Sequence, residues 1–354
     1  MSRKQLDLTL MGLAGLVSFG LPLVISSPTY LQILILLFFY AYLTTAWNLV
    51  GGFAGVLPMG HAVFVGIGAY TSTILTLQYG ISPWIGMIVG GLLASGVGVL
   101  IGKPTLRMRG AYFALCTIAF AEGVRVMIEN IDTLGPIKLN GPRGLLIPLK
   151  GDSFWNYQFM HKAPYYYIIL VMLMLVLALT WIISKSKIGY YLAAGGDEPE
   201  AAEALGVNVA KYKLMSMALS CFLTALAGTF YAQLMLYFYP KGLLGLDLSF
   251  EIAFIALIGG RGMIAGPLVG ALALRPLNEF TRIYLGDQLP GLHLVIFGLI
   301  LILVMLFQPK GLTPSLARIY DRLANRITGA GKSGSGTIGS GETSFKTTSR
   351  EGAK

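Results

Sequence analysis

From Leu8 to Gly102 the chain contains no Asp, Glu, Lys or Arg. No soluble fold has a surface that uses such a run, whereas the hydrocarbon core of a bilayer requires one, at about 20 apolar residues per helical span. The run therefore holds several transmembrane helices. Further charge-free stretches at 163–184, 214–240 and 288–309 are each long enough to cross. Charged residues make up 12% of the chain, against about 25% in soluble domains. The stretches are continuously apolar rather than alternating, which excludes a membrane β-barrel. The fold class is all-α and the architecture that of a polytopic membrane protein.

The expected full spans, about eight, are 8–26, 30–50, 56–77, 83–102, 111–131, 164–184, 212–237 and 290–308. Between the last two lies a broken segment, 249–277, interrupted by "GGRGMIAGP" at 259–267. Residues 1–312 form the membrane domain, with loops at 132–162 and 185–213. Residues 313–354 form a tail that is Gly/Ser/Thr-rich and expected to be disordered from about 329. Ser2-Arg3-Lys4 before an apolar run superficially resembles a secretory signal. The run is too long and lacks a small-residue cleavage site, so an uncleaved first helix is expected.

The net charge of +10 reflects basic residues at helix ends and in the tail rather than a nucleic-acid surface. Arg3 and Lys4, then Lys103, Arg107 and Arg109, then Lys185, Lys187, Lys211 and Lys213 alternate with the spans so as to fall on the cytoplasmic side, as do Lys310, Arg318, Arg322 and Arg326. Both termini are thus expected in the cytoplasm, and the loop 132–162 outside. Seven spans leave the chain outside at 239–248, and one final span must bring the tail in. The segment 249–277 must therefore leave and return to the same side, as two half-helices joined at the glycines. Irregular backbone at that depth is tolerated only where protein or a cavity covers it.

Two glycine-rich interruptions mark the candidate pathway. The first, "NLVGGFAGVLPMGHAVFVGIGAY" at 48–70, supplies Gly51, Gly52, Gly55, Pro58, Gly60 and His61; the second supplies Gly259, Gly260, Gly266 and Pro267. Paired interruptions in two halves of a transporter point to its binding site. Close helix packing through small residues is the alternative use of the same glycines. His61 has no acidic or cysteine neighbour in its run, so a hydrogen-bonded histidine at a helix start is expected rather than a metal ligand. Arg261 is placed either at the aqueous surface or at the ends of the half-helices. Cys116 and Cys221 fall in predicted helices and are expected to pack as small apolar residues.

In 111–131, Glu122, Arg125 and Glu129 are spaced three and four apart and share one helix face. A lone charge near mid-membrane costs about 3 kcal/mol or more, so pairing within the helix is expected. Such a face suits a polar lining of the pathway equally with a structural ion pair.

The loop 185–213 contains "DEPEAAEALG", residues 197–206. Asp197 can cap a short helix, Pro199 suits its first turn, Glu198 and Glu200 suit its positive end, and Gly206 can supply a left-handed stop. Glu200, Ala201, Ala202 and Gly206 fit the E-A-A-x-x-x-G pattern of the cytoplasmic coupling loop in ABC importer permeases. Together with the two glycine-rich stretches, "LSCFLTALAGTFYA" and "LFQPKGL", the chain resembles the branched-chain amino acid importer permeases of the LivM type, from about residue 40 to 312. Two sites depart from the family's pattern. Where the family carries a helix resembling R-A-I-R-E-D, this chain has Leu192-Ala193-Ala194-Gly195-Gly196-Asp197, whose glycines predict a loosened helix. An external T-G-G-x-x-G signature is reduced to Leu139-Asn140-Gly141-Pro142-Arg143-Gly144.

The resemblance implies a permease without catalytic residues of its own, a sister permease, two ATPase subunits that hold ATP and magnesium, and an external substrate-binding protein. It also implies a bacterial or archaeal plasma membrane as the location. "GAGKS" at 329–333 is not a nucleotide site, because the first glycine of a P-loop would fall at Arg326. Branched-chain amino acids are the implied cargo, with urea or short amides as the alternative. An ion-coupled secondary transporter is disfavoured because the breaks are expected to offer no carboxylate. An intramembrane enzyme would need a nucleophile or metal set, such as H-E-x-x-H, that the chain lacks.

Overall fold

A computed structural model describes residues 18–22, 27–108, 110–135, 137–149, 151–285, 292–308 and 311–328. Of the expected first span only residues 18–22, which are helical, are described. The tail from 329 lies outside the described residues.

The helices are α1 (Pro28–Asn48), α2 (Ala62–Tyr79), α3 (Pro83–Thr105), α4 (Ala111–Asn130), α5 (Lys162–Lys185), α6 (Lys187–Asp197), α7 (Pro199–Ala204), α8 (Val209–Met235), α9 (Pro240–Leu244), α10 (Leu246–Gly259), α11 (Gly266–Leu285), α12 (Leu292–Phe307) and α13 (Thr313–Thr328). Among the described residues, seven stretches are long and apolar enough to cross a membrane: α1 with the turn that follows it, α2, α3, α4, α5, α8, and α9 with α10. The helices end where sequence chemistry ends them. Proline opens α1, α3 and α9 at the first turn, where its missing N–H costs nothing.

The centre of the bundle is α2, α3 and α8, packed through small residues. A Cβ added to Gly68 would strike the backbone of Ala225, and one added to Gly228 the backbone of Val65, so α2 and α8 touch backbone to backbone. Lipid offers no hydrophobic drive to bring helices together, and close van der Waals approach through glycine supplies it instead. Around this centre, α1 buries most of its surface, with Ile35, Phe39, Leu43, Ala46 and Trp47 at or near zero exposure. Tyr42 of α1 donates its hydroxyl to the Leu223 carbonyl of α8 at 3.0 Å.

The bundle has two distinct ends. At one lie the end of α1, the start of α8, and α6: Ser216 Oγ donates to the Leu49 carbonyl at 2.7 Å, and Gly55 packs on Gly196. At the other lies the 131–161 loop. Its short ladders, β1 (Thr133–Leu134) with β2 (Ile137–Lys138) and β3 (Leu145–Leu146) with β4 (Tyr237–Phe238), are antiparallel. Two-residue strands carry no periodic signal, and the all-helical expectation did not include them. Trp84 stacks on Tyr157 at 4.1 Å between centroids and donates to the Phe154 carbonyl at 2.8 Å, pinning this loop to the start of α3.

The expected span 56–77 begins later than its apolar content suggests. Residues 54–61 are irregular and α2 starts at Ala62. Gly55 adopts φ +70°, a left-handed conformation that a helix cannot contain. The broken segment is a hairpin: α10 runs to Gly259, the chain turns over 260–265, and α11 runs back from Gly266. The segment doubles back, but not as the expected pair of half-helices: α9 with α10 is long and apolar enough to cross a membrane, and α11 has 20 residues.

Candidate functional site

The first interruption starts as a change in helical winding. After Asn48 the chain makes a π-turn, Leu49–Phe53, in which Ala54 N–H reaches back to the Leu49 carbonyl at 3.3 Å. Gly51 and Gly52 weaken the α-helix by about 1 kcal/mol each relative to alanine. Both are also required sterically, since a Cβ on Gly51 would enter the Trp47 ring and one on Gly52 would strike the Asn48 side chain. Trp47 Nε1 donates to the Pro58 carbonyl at 2.8 Å and bridges the break. Gly60 lies against the Thr117 carbonyl of α4, and Met59 N–H donates to Thr117 Oγ1 at 3.0 Å. The stretch is a packed bend rather than an open loop.

His61 occupies the N-cap position of α2 and is fully buried. Ser220 Oγ donates to the Ala46 carbonyl at 2.6 Å, so it accepts from His61 Nε2 at 2.9 Å. This assigns the ring proton to Nε2 and leaves Nδ1 as a bare acceptor, which has no hydrogen-bond partner among the described residues. No group of three metal-ligating side chains occurs among the described residues.

The second interruption closes glycine on glycine. A Cβ on Gly259 would strike the Gly266 carbonyl, and one on Gly266 the Gly260 carbonyl, while Pro267 sits in the first turn of α11. Arg261 is exposed. Thr313 donates its hydroxyl to the Gly259 carbonyl, and Leu312 N–H donates to the Ile258 carbonyl at 2.7 Å, tying the hairpin tip to the start of α13. The two interruptions, more than two hundred residues apart, meet: Gly262 N–H donates to Asn48 Oδ1 at 2.9 Å and Asn48 Nδ2 donates to the Met263 carbonyl at 3.0 Å. Asn48 carried no motif; its only sequence signal is an amide within a charge-free run.

The interruption 259–267 itself holds no carboxylate; one lies eight residues before it, in α10. Glu251 of α10 pairs with Arg275 of α11, accepts from Asn278 Nδ2 at 3.3 Å, and the Arg275 guanidinium lies 3.8 Å above the ring of Tyr40 in α1. Arg275 is only 9% exposed. The pair consumes both charges inside the hairpin, so the group braces α10, α11 and α1. An acidic and a basic residue 24 apart showed no helical spacing, and only the fold brings them together.

On α4 the three charges pair as their spacing predicts. Arg125 bridges both acids: Nε donates to Glu122 Oε2 at 3.0 Å, Nη2 to the other Glu122 oxygen, and Nη1 to Glu129 Oε1 at 2.6 Å. The Arg125 side chain is 17% exposed and that of Glu122 40%. Only Phe113, Thr117 and Ala121 of this helix are buried, while Tyr112, Leu115 and Met127 are exposed.

The 185–213 loop holds α6 and α7. Contrary to the expected loosening at Gly195 and Gly196, α6 continues unbroken to Asp197. A Cβ on Gly195 would press on Val209, and one on Gly196 would come 3.0 Å from the Phe53 carbonyl. Here close packing decides the conformation against propensity. Asp197 ends α6 and does not cap α7; Glu198 holds the N-cap position without a side-chain cap bond. Pro199 opens the helix, Ala202 is buried, and Gly206 at φ +86° supplies the left-handed stop. Leu205 beside it is 86% exposed.

A bundle of apolar spans, a glycine-lined hairpin and a paired helical loop define a polytopic helical membrane protein. The chain belongs to the branched-chain amino acid transport system permease component family, whose model matches residues 29–305. It is 28% identical over 318 residues to the high-affinity branched-chain amino acid transport system permease protein LivM of Escherichia coli K12, covering 83% of this chain and 72% of that protein. It is 24% identical over 287 residues to LivH of the same strain, covering 77% of this chain and 90% of LivH. The nucleoside ABC transporter permease protein NupC of Lactococcus lactis is 25% identical over 295 residues, covering 73% and 86%. No solved structure matches the chain.

Proposed function

We propose that this chain is one of two permease subunits of an ATP-driven importer, passing branched-chain amino acids delivered by an external binding protein. Two ATPase subunits hold ATP and magnesium and dock on α6 and α7; in this reading that end of the bundle and both termini face the cytoplasm of a bacterial or archaeal cell. The observation that carries this reading is α7: a short helix, proline-opened and glycine-stopped, that buries Ala202 against the bundle and presents Leu205 outward. An exposed leucine beside a short helix suits a groove on a soluble partner. The sparsely buried face of α4, with Glu122, Arg125 and Glu129, lines the pathway against the sister permease. The packed bend at Gly51–Gly60 and the hairpin at Gly259–Pro267 hold the helices beside it.

The cargo follows from the family description and from two relatives whose names state branched-chain amino acid transport. The nucleoside permease among the relatives carries a different cargo by name, and urea or short amides remain the second reading. The Glu251–Arg275 pair supports the importer over an ion-coupled carrier, because the Glu251 carboxylate is already held by a guanidinium. Deleting 200–206 and purifying the tagged chain from membranes tests the docking. Loss of the co-purifying ATPases together with loss of uptake is expected; retention of both refutes the assignment.

A further inference from the structure

The side chain of Asn48 spends both of its polar atoms on the hairpin tip, Oδ1 on Gly262 N–H at 2.9 Å and Nδ2 on the Met263 carbonyl at 3.0 Å, and it is fully buried. One turn onward, Gly52 stands against the same tip, where a Cβ would strike Gly262 N. Two residues after the π-turn the chain reaches α6: a Cβ on Gly55 would come 2.8 Å from both Cα and the carbonyl oxygen of Gly196. Gly196 lies immediately before Asp197, at the junction of α6 and α7. The π-turn lies between these two contacts, with the Leu49 carbonyl also held by Ser216 Oγ at 2.7 Å. Its closing bonds, Ala54 N–H to the Leu49 carbonyl and Val56 N–H to the Val50 carbonyl, are both 3.3 Å. A continuous path of close contacts therefore runs from the α6–α7 junction, through Gly55 and the π-turn, to the Asn48 side chain and the hairpin.

We infer that Asn48 is the positioning residue that carries displacement of α6 and α7 to the α10–α11 hairpin, with the π-turn as the deformable link. The inference rests on α6 and α7 being the ATPase-docking segment. A side-chain amide suits this role because it grips a donor and an acceptor of one loop at once, so the loop follows in both directions.

The test uses the complete transporter, with its ATPases and binding protein, in liposomes, with ATP hydrolysis and uptake of radiolabelled L-leucine read in the same vesicles. Asn48→Leu keeps the volume and removes both bonds. It is expected to lower leucine taken up per ATP hydrolysed at least tenfold while hydrolysis stays within about twofold of wild type. Gly196→Ala leaves Asn48 intact, disturbs the other end of the path, and is expected to lower the same ratio. A structural role alone would reduce uptake and hydrolysis together, in proportion to complex recovered. That result, or an unchanged ratio in both variants, overturns the inference. Deletion of 200–206 separates the two failures. Uptake that survives the deletion removes the docking reading and the inference with it; uptake lost in the deletion but fully coupled in Asn48→Leu removes the inference alone.

Discussion

Replacing Arg275 with methionine preserves the stem and deletes the guanidinium that Glu251 faces. The pair is buried, with side-chain exposures of 11% and 19%. Breaking such a pair from one side costs about 3–5 kcal/mol, because the remaining charge is left without its partner. Loss of the contact with Tyr40, at 3.8 Å, adds about 0.5–2 kcal/mol. At 1.4 kcal/mol per factor of ten, the lower figure alone shifts the folded fraction by about a hundredfold. Replacing both partners, Glu251→Leu with Arg275→Met, removes the stranded charge as well and is expected to recover most of the loss, since buried pairs exchanged for apolar side chains are often neutral. The assay is thermal unfolding of the detergent-solubilised complex, followed by the fraction surviving size exclusion. The single variants should melt well below wild type and the double variant close to it. A double variant as damaged as the sum of the singles would refute the brace, because independent sites add and paired sites do not.

Gly68→Val drives two methyl groups into the Ala225 backbone and should abolish recovery of folded protein, while Gly123→Val, where a Cβ meets nothing within 4 Å, should leave it unchanged; yield after solubilisation compares them. Trp84→Ala removes the stack on Tyr157 and the bond to the Phe154 carbonyl and should loosen the loop, read as faster proteolysis within 131–161. Leu205→Asp places a charge on the exposed face beside α7 and should weaken ATPase co-purification at least tenfold without lowering permease yield. Gly55→Ala strains a position at φ +70° that also abuts Gly196, and should reduce uptake more than Gly206→Ala, whose surroundings are open.

Much of this architecture is legible in the distribution of charge. The uncharged stretches place α1, α3, α5 and α8 to within a few residues, because a helix in lipid must satisfy its own backbone and be largely apolar. The count of crossings, with a basic residue at each inner end, requires the 249–277 segment to double back before its glycines are considered. What stayed hidden depends on contacts between distant parts of the chain. The start of α2 was placed early because an apolar composition does not reveal that Gly55 turns left-handed against Gly196. The glycines of α6 read as weakness, yet their missing side chains are what let α6 lie on Phe53 and Val209. Glu251 and Arg275 lie 24 residues apart, without the three- or four-residue spacing that pairs charges along one helix. Asn48 was one amide at the head of a glycine run, and only the folded hairpin gives it a partner.

The central claim is that this chain moves branched-chain amino acids only as part of an ATP-driven assembly. Uptake of radiolabelled leucine into liposomes, with the permease pair, ATPases and binding protein present together and then with this chain alone, tests it most directly. The account predicts leucine accumulation that requires ATP and every subunit, and that is not competed by urea or nucleosides. Accumulation by this chain alone under an ion gradient, or ATP-driven uptake of urea in place of leucine, would contradict it.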